Sequence, residues 1–379
     1  MRQFSQSDCG IQGPVKRIFV QSERQYLNML NYRKHLDFLT RPPLKPWMRE
    51  NWICLDKNEA PFSPLRDNSS FLERLRNVDA RTYPDPFPVY KKLSDFIGLP
   101  PEQILLTYGS EQAIRVCYEL MVDPRDQVIC LNPTFAMFEV FNKTFNADPI
   151  YVDCEFGELH ADVILPHISE RTKLIAISNP NNPTGSIFPL ADLKKIVEAA
   201  AKVGSLLLVD EAYFHYCDVT AQPLIEDFDN LAITRTFSKA WGLAGIRVGY
   251  MIAQLDTIDK FRKLKPMDEM TTFSIAASRF ALDNLEYLER NIAQVQKWQD
   301  KFDQLSGPNV STIGTEGNFI LIKVNPALKS GILQWFIDNR IFVKEGYDHP
   351  IMADSIRFSV TEDTVMEMIF QRLNSSNRN

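Results

Sequence analysis

The stretch LAITRTFSKAWGLAGIRVGYMIA, residues 231–253, places one lysine, Lys239, in a polar, glycine-bearing turn between two apolar runs. The first run (231–237) and the second (247–253) have the continuous apolar character of strands that are buried on both faces. Ligands of open parallel sheets bind at the carboxyl ends of the strands. The position of Lys239 therefore indicates a polar site at the edge of a buried sheet.

Similar apolar runs alternate with helical patterns earlier in the chain. In the pattern PLADLKKIVEAAAKVG (189–204), five apolar residues fall on one helical face. This alternation predicts an α/β fold, with a mostly parallel sheet and helices on both sides. The runs are QVICL (127–131), PIYVD (149–153), KLIAIS (173–178) and SLLLVD (205–210), and the helical face consists of Leu190, Leu193, Ile196, Val197 and Ala200.

The texture of the sequence changes after Pro266. Long helical patterns cover about residues 272–306, and two alternating strands follow, NFILIKV (318–324) and SIRFSV (355–360). This change predicts a second, smaller α+β domain that the chain before about residue 70 joins. The expected division is an N-terminal arm at 1–45, the N-terminal part of the small domain at 46–75, a large domain at 76–266 and the C-terminal small domain at 267–379.

Composition restricts the classes of function. With 379 residues, 45% of them hydrophobic and 24% charged, the chain is typical of a packed protein with two domains. The net charge is −6 and basic residues form no runs, which argues against nucleic-acid or membrane partners and favours a small molecule. The six cysteines have no CxxC or metal-ligand spacing, so we expect reduced thiols, no metal and a cytoplasmic location.

Polar residues follow several of the predicted strands, at the ends where a parallel sheet binds its ligands. We therefore expect an asparagine, an aspartate, a tyrosine and a lysine to meet at one rim of the sheet. The segments concerned are NPNNPTG (179–185), DEAY (210–213), TFSK (236–239) and AGIR (244–247).

These segments resemble, in order and in spacing, those of the fold-type I pyridoxal phosphate (PLP) enzymes, most closely the branch of the histidinol-phosphate aminotransferases. The resemblance extends from about Asp56 to Arg357. It implies a large domain with a mostly parallel seven-stranded sheet flanked by helices, a smaller α+β domain, PLP as cofactor and a homodimer.

The resemblance also implies roles for single residues at the rim. Lys239 corresponds to the lysine that forms a Schiff base with the cofactor aldehyde. Asp210 corresponds to the acid that bonds the pyridine nitrogen and keeps it protonated. Tyr213 and Asn182 correspond to the partners of the ring hydroxyl.

The cofactor phosphate needs backbone donors and positive charge. A short strand changes to a helix at Gly109, Ser110 and Glu111, and the free N–H groups of a helix start suit a dianion. By resemblance, Ser238 and Arg247 are further phosphate ligands, and Thr236 assists them.

Two aromatic residues complete the implied cofactor site. Phe135 takes the place of the aromatic residue that stacks on the pyridine ring. Tyr83 matches a tyrosine that reaches the phosphate from the other subunit, so a shared active site is expected.

The substrate residues are Arg357, Lys344, Asn182 and two acids. Arg357 matches the arginine that receives the substrate's carboxylate or phosphate. Lys344 stands where the histidinol-phosphate enzymes commonly carry a second arginine, and a lysine cannot bind a phosphate through two parallel bonds. Asp268 and Glu269 lie in a segment that is usually neutral, which favours a substrate with a cationic side chain.

The sequence therefore predicts a PLP-dependent aminotransferase for an amino acid or related amine, with a cationic, arginine-like side chain as the substrate hypothesis. The same residues also fit elimination or cyclisation of a basic amino acid such as a hydroxyarginine, and decarboxylation of a phospho-amino acid. Which bond at the α-carbon breaks depends on geometry that the sequence does not contain, so these alternatives stay open.

Overall fold

The computed structural model describes residues 32–39, 48–66, 68–268 and 270–378. Its strands are β1 (Ile53–Cys54), β2 (Ile104–Thr107), β3 (Gln127–Asn132), β4 (Asp148–Asp153), β5 (Thr172–Ser178), β6 (Leu206–Asp210), β7 (Leu231–Thr236), β8 (Gly249–Ile252), β9 (Val310–Ile313), β10 (Phe319–Val324), β11 (Ile341–Phe342) and β12 (Ser355–Ser359). Its α-helices are α1 (Met48–Asn51), α2 (Ser69–Arg76), α3 (Phe87–Ile97), α4 (Gly109–Met121), α5 (Ala136–Phe145), α6 (Leu190–Lys202), α7 (Leu255–Arg262), α8 (Thr272–Asp283), α9 (Glu286–Phe302), α10 (Pro326–Asp338) and α11 (Asp363–Ser376).

Seven strands form one large sheet in the order β2-β8-β7-β6-β5-β3-β4. All neighbouring pairs from β7 to β4 are parallel, and β8 runs antiparallel to both of its neighbours. The six long apolar runs identified in the sequence are all strands of this sheet. The predicted mostly parallel sheet with flanking helices is therefore confirmed.

The two faces of the large sheet belong to two hydrophobic clusters, which explains why its strands are apolar without interruption. In β3, Ile129 and Leu131 pack on one face, whereas Val128 and Cys130 pack on the other. Helix α6 covers the first face, and α4, α5 and α7 cover the second. The predicted apolar face of α6 is buried at Leu193, Ile196, Val197 and Ala200.

One predicted strand begins later than expected. Strand β8 begins at Gly249 and not at residue 247, because Arg247 adopts a left-handed conformation with φ 55°. Gly249 also lies where the chain passes the start of α4, and a Cβ atom there would come within 2.4 Å of the Ser110 backbone nitrogen. Glycine at position 249 therefore allows the chain at the start of β8 to pass close to α4.

A smaller unit is built on the antiparallel sheet β12-β10-β9. Its core contains Trp298 and Phe302 of α9 together with apolar residues of α10 and α11. Strand β1 pairs in parallel with β11, so the chain near Ile53 belongs to this unit. The N-terminal segment and the C-terminal part therefore share one core, which includes Leu55.

The helical pattern at 272–306 is divided into two helices, α8 and α9. Ile275 and Ala281 of α8 pack into the core of the large sheet, and α9 contacts both cores, through Leu288 in the first and Trp298 in the second. The four domain ranges stay a prediction, and the arm at 1–45 lies mostly outside the described residues. Every helix among the described residues is too short or too polar to span a bilayer.

Candidate functional site

The carboxyl ends of β6 and β7 carry the residues that the sequence predicted at the rim. Asp210 ends β6 and is in register with Thr234 of β7, whose last residue is Thr236. Tyr213 follows shortly after β6, and Lys239 follows shortly after β7. Because the two strands are adjacent and parallel, their ends bring these side chains to one edge of the sheet.

Asp210 is a buried carboxylate with 3% of its surface exposed. Its Oδ1 accepts a hydrogen bond from Thr234 Oγ1 at 2.8 Å. Burial raises the pKa of Asp210 to about 6, although the bond from Thr234 and the charge of Lys239 act in the opposite direction. A buried acid without an arginine partner is suited to pair with a cation that enters the site.

Lys239 Nζ donates a hydrogen bond to the main-chain oxygen of Lys57 at 2.6 Å. The Nζ also lies 5.7 Å from the centroid of the Tyr213 ring. Burial, with the nearby charge of Arg357, lowers the pKa of Lys239 to about 8. The amine therefore loses its proton far more easily than an ordinary lysine, as a nucleophile for an aldehyde must.

Tyr213 is buried beside this amine. Its hydroxyl oxygen accepts a hydrogen bond from Asn58 Nδ2 at 2.8 Å, and its ring packs edge-on against Phe319. Burial raises the pKa of Tyr213 to about 12. The hydroxyl is therefore protonated at neutral pH and can donate a hydrogen bond into the site.

Thr236, Ser238 and Arg247 form a connected set of donors beside the start of α4. Arg247 Nη1 donates to Ser238 Oγ at 3.3 Å and to the Ala244 main-chain oxygen at 3.2 Å, and Thr236 Oγ1 donates to Ser238 Oγ at 2.9 Å. Gly109 has φ 76°, and a Cβ atom there would lie 2.6 Å from Arg247 Nη2. Glycine therefore lets the guanidinium reach the helix start, where an anion is stabilised.

The remaining residues predicted for the cofactor lie around this set. Ser110 and Glu111 form the first turn of α4 and are half-buried. Phe135 is half-buried and packs edge-on against Phe138, with 6.0 Å between ring centroids. The sequence analysis missed Tyr108, whose ring lies 5.6 Å from the Arg247 guanidinium carbon. The roles of Ser110, Glu111 and Phe135 stay predictions.

Arg357 comes from the smaller unit, on β12, and is buried with 6% of its surface exposed. Its Nη1 donates to Asn182 Oδ1, and its Nη2 donates to the Asp56 main-chain oxygen at 2.9 Å. Its Nε is buried without a hydrogen-bond partner among the described residues. Asn182 and Arg357, which are 175 residues apart in sequence, are thus brought together, and their roles toward the substrate stay predictions.

Lys344 and Tyr347 lie on the loop that flanks Arg357. The main chains of Lys344 and Arg357 exchange two hydrogen bonds of 2.9 Å, and the Lys344 side chain is exposed. The Tyr347 hydroxyl is buried and has no hydrogen-bond partner in the part of the chain that the structure describes. Burial raises the pKa of Tyr347, although the charge of Arg357 acts in the opposite direction. Tyr347 was not predicted from the sequence, because a single aromatic residue in a polar loop does not indicate that its hydroxyl will be buried beside an arginine.

The segment Asp56–Glu59 was also missed, and it contacts three of the predicted site residues. Its main-chain oxygens accept hydrogen bonds from Arg357 and Lys239, and its Asn58 side chain bonds Tyr213. It is held in turn by Asn318 Nδ2, which donates to the Asn58 main-chain oxygen at 3.0 Å. These contacts join residues that are far apart in the sequence, so local sequence patterns do not predict them.

Two predicted residues, Tyr83 and Asp268, lie apart from these contacts. Tyr83 is 86% exposed, which leaves its ring open to a second subunit, and its role across a dimer interface stays a prediction. Asp268 is exposed on the loop after α7. Glu269 lies outside the described residues, so the position of this acidic pair relative to the site stays a prediction as well.

The family model described as Aminotransferase class I and II matches residues 50–373. The chain belongs to the class I and II aminotransferase family. The matched range contains both the large sheet and the smaller unit, and hence every site residue from Asp56 to Arg357.

Curated relatives in this aminotransferase family are similar along most of their length. Histidinol-phosphate aminotransferase from Ruminiclostridium cellulolyticum is 31% identical over 320 residues, which cover 81% of this chain and 88% of the relative. Histidinol-phosphate aminotransferase 1 from Burkholderia lata is 31% identical over 319 residues, which cover 82% and 88%.

Solved structures show the same aminotransferase fold. Histidinol-phosphate aminotransferase from Sinorhizobium meliloti, in complex with pyridoxal-5'-phosphate, has a TM-score of 0.79 at 23% identity and covers 92% of this chain and 97% of that one. A double mutant of Thermus thermophilus aspartate aminotransferase has a TM-score of 0.75 at 19% identity and covers 92% and 100%. The predicted fold-type I architecture is confirmed.

Proposed function

We propose that this aminotransferase is PLP-dependent and transfers the amino group of an amino acid or related amine. One observation carries the proposal. Lys239 lies at the same rim as the buried residues Asp210 and Tyr213, and burial lowers the pKa of its amine to about 8. An amine with this pKa is suited to bond an aldehyde covalently at neutral pH.

The residues present fit the cofactor at three points. Its phosphate is matched by three side chains, Arg247, Ser238 and Thr236, and by the first N–H groups of α4. The Arg247 guanidinium lies so close to Gly109 that the Cβ atom of any larger residue would clash with it. Asp210 is an acid without an arginine partner, suited to a protonated ring nitrogen. Tyr213 is a protonated donor suited to the ring hydroxyl.

Bound PLP supplies an electron sink for the electron pair left when a bond at the substrate α-carbon breaks. Side chains of the protein hold the protonation state, move the proton and orient the substrate. Asp210 holds its partner nitrogen in the protonated state by its buried charge. Lys239 Nζ would take the proton from the α-carbon of the substrate and would deliver it to the former aldehyde carbon of the cofactor, so that the proton does not return to the α-carbon. A pKa of about 8 allows the amine both to accept and to release it. Arg357 orients the substrate through an anionic group.

Substrate recognition is assigned to the Arg357 side of the site. Among the described residues, Arg357 Nε and the Tyr347 hydroxyl are both buried without partners, so an anion that bonds them removes the cost of leaving them unpaired. The similar relatives are named for histidinol phosphate, whose phosphate is such an anion. A cationic side chain is the finer hypothesis, and it depends on the acids Asp268 and Glu269.

The test begins with the cofactor. Purified protein mixed with PLP should develop the visible absorbance of a lysine-bound cofactor, and Lys239→Ala should lack it while retaining a folded spectrum in the far ultraviolet. An amino-acid and amine panel then separates the reactions. Transamination requires a keto-acid acceptor in stoichiometric amount, and product formation without any acceptor would instead establish a lyase or decarboxylase.

A further inference from the structure

Asn58 contacts the predicted site residue Tyr213, but the proposed function gives Asn58 no role. It is buried, with 1% of its surface exposed, and it lies in the segment Asp56–Glu59 that crosses the site. Its Nδ2 donates to the Tyr213 hydroxyl oxygen at 2.8 Å. Its main-chain oxygen accepts a hydrogen bond from Asn318 Nδ2 at 3.0 Å, so the residue is held both by its backbone and by its side chain.

The direction of the bond between Asn58 and Tyr213 determines what the tyrosine can do. A phenol carries one hydrogen and accepts through its oxygen lone pairs. Since Asn58 donates, the hydrogen of Tyr213 is not consumed by Asn58, and the hydroxyl has no other hydrogen-bond partner among the described residues. With Asn58 as donor, the hydroxyl is left to donate, and accepting a hydrogen bond also makes it a stronger donor.

The orientation of the Asn58 amide decides the role of the hydroxyl. Among the described residues, Asn58 Oδ1 is buried without a partner. With the amide reversed, Oδ1 would accept the Tyr213 hydrogen, and the hydroxyl could no longer donate elsewhere. The orientation that the structure has, with Nδ2 toward Tyr213, is the one that leaves the hydroxyl hydrogen available.

We propose that Asn58 is a positioning residue that fixes Tyr213 as a hydrogen-bond donor toward the cofactor's ring oxygen. The inference rests on the proposed function, because it needs PLP at this rim. Donation from Tyr213 draws electron density from the ring oxygen, which then stabilises a proton on the neighbouring cofactor–lysine linkage less well. Asn58 thereby keeps the linkage less basic, without touching the cofactor itself.

The backbone at Asn58 determines which variants are informative. Its φ is 54°, in the left-handed region, where glycine, asparagine and aspartate are tolerated and alanine is strained. Asn58→Gly removes the amide without backbone strain and without new charge. Asn58→Asp keeps the shape and can only accept, so it draws the Tyr213 hydrogen away from the cofactor.

The measurement is the pH midpoint of the visible absorbance change of the PLP-loaded protein, which follows protonation of the linkage. We expect Asn58→Gly to raise this midpoint by a few tenths of a pH unit and Asn58→Asp by about one unit, the size expected for loss of one hydrogen bond to a charged group. Asn146→Gly, the same substitution at the same φ of 54° at the end of α5, should leave the midpoint unchanged.

The same substitutions in a Tyr213→Phe background decide whether the effect passes through the tyrosine. We expect Tyr213→Phe alone to raise the midpoint and Asn58→Gly to add nothing to it. An unchanged midpoint in both Asn58 variants, or an equal shift with and without Tyr213, overturns the proposal. Absence of any visible band in the unsubstituted protein would refute the proposed function instead, so the two failures are distinguishable.

Discussion

Arg235 and Arg357 are both buried, with 2% and 6% of their surfaces exposed, but their surroundings differ. Arg235 bonds the Glu211 carboxylate at 2.9 Å and Thr220 at 2.8 Å, and its guanidinium carbon lies 3.7 Å from the centroid of the Phe214 ring. Arg357 bonds two carbonyl oxygens, has an unpartnered Nε, and has no carboxylate within 4.0 Å among the described residues.

The two adjacent acids Asp210 and Glu211 repeat this contrast. Glu211 is neutralised by Arg235 and also accepts the backbone N–H of Ala221 at 2.6 Å, whereas Asp210 has one hydroxyl partner and a raised pKa. A buried charge without a counter-ion costs free energy, and folded proteins accept that cost mainly where a ligand will provide the missing charge. We therefore expect the pair Arg235–Glu211 to serve stability, and Arg357 and Asp210 to serve binding.

The largest effect, on the free energy of unfolding, is expected when the ion pair Arg235–Glu211 is broken. Arg235→Met leaves the Glu211 carboxylate buried and unpaired, which should lower the free energy of unfolding by about 3–5 kcal/mol in urea titrations. The double variant Arg235→Met/Glu211→Leu should recover much of the loss, because no buried charge remains. A loss below about 1 kcal/mol in the single variant would contradict the assignment of this pair to stability.

The opposite pattern is expected at Arg357. Arg357→Gln should lower kcat/KM for an amino donor with an anionic group by roughly 150-fold, which corresponds to about 3 kcal/mol for a buried charged hydrogen-bond pair. Its free energy of unfolding without substrate should change little, because no carboxylate is left unpaired. Equal losses of stability and turnover would show that Arg357 is as structural as Arg235.

Asp210 predicts a pH dependence of stability in the cofactor-free protein. Its pKa of about 6 when folded lies above the ordinary value, so the folded state binds more protons than the unfolded state between pH 4 and 6. The free energy of unfolding should therefore fall as pH rises through this window, by up to about 2–3 kcal/mol. Asp210→Asn should flatten this part of the profile, and a profile unchanged by the substitution would rule out the raised pKa.

The smallest effect is expected at the acidic pair Asp268 and Glu269, of which Asp268 is exposed. Replacing Asp268 and Glu269 with their amides should raise KM for a basic amino acid by a few fold, since exposed charge interactions contribute below about 1 kcal/mol. KM for an uncharged amino acid should stay the same. Equal changes for both substrates would refute the idea that this pair selects a cationic side chain.

Much of the cofactor side of the site was readable from sequence because its residues lie next to the strands that place them. Lys239 and Asp210 each follow an apolar run, and a parallel sheet brings such positions together whatever the details of packing. The exact start of β8 was not readable in the same way. It depends on the left-handed conformation of Arg247, whose guanidinium lies against Gly109 at the start of α4.

The sequence alone determined the fold class, the large sheet and the identity of the residues at its rim, since buried parallel strands and their polar ends are local patterns. Only the tertiary structure decided that Asp56–Glu59 enters the site, that Asn58 bonds Tyr213 and that Tyr347 lies beside Arg357 with a free hydroxyl. Those contacts join segments of two different cores. Their free energy depends on which polar groups remain unpaired after packing, and no local pattern of residues encodes that.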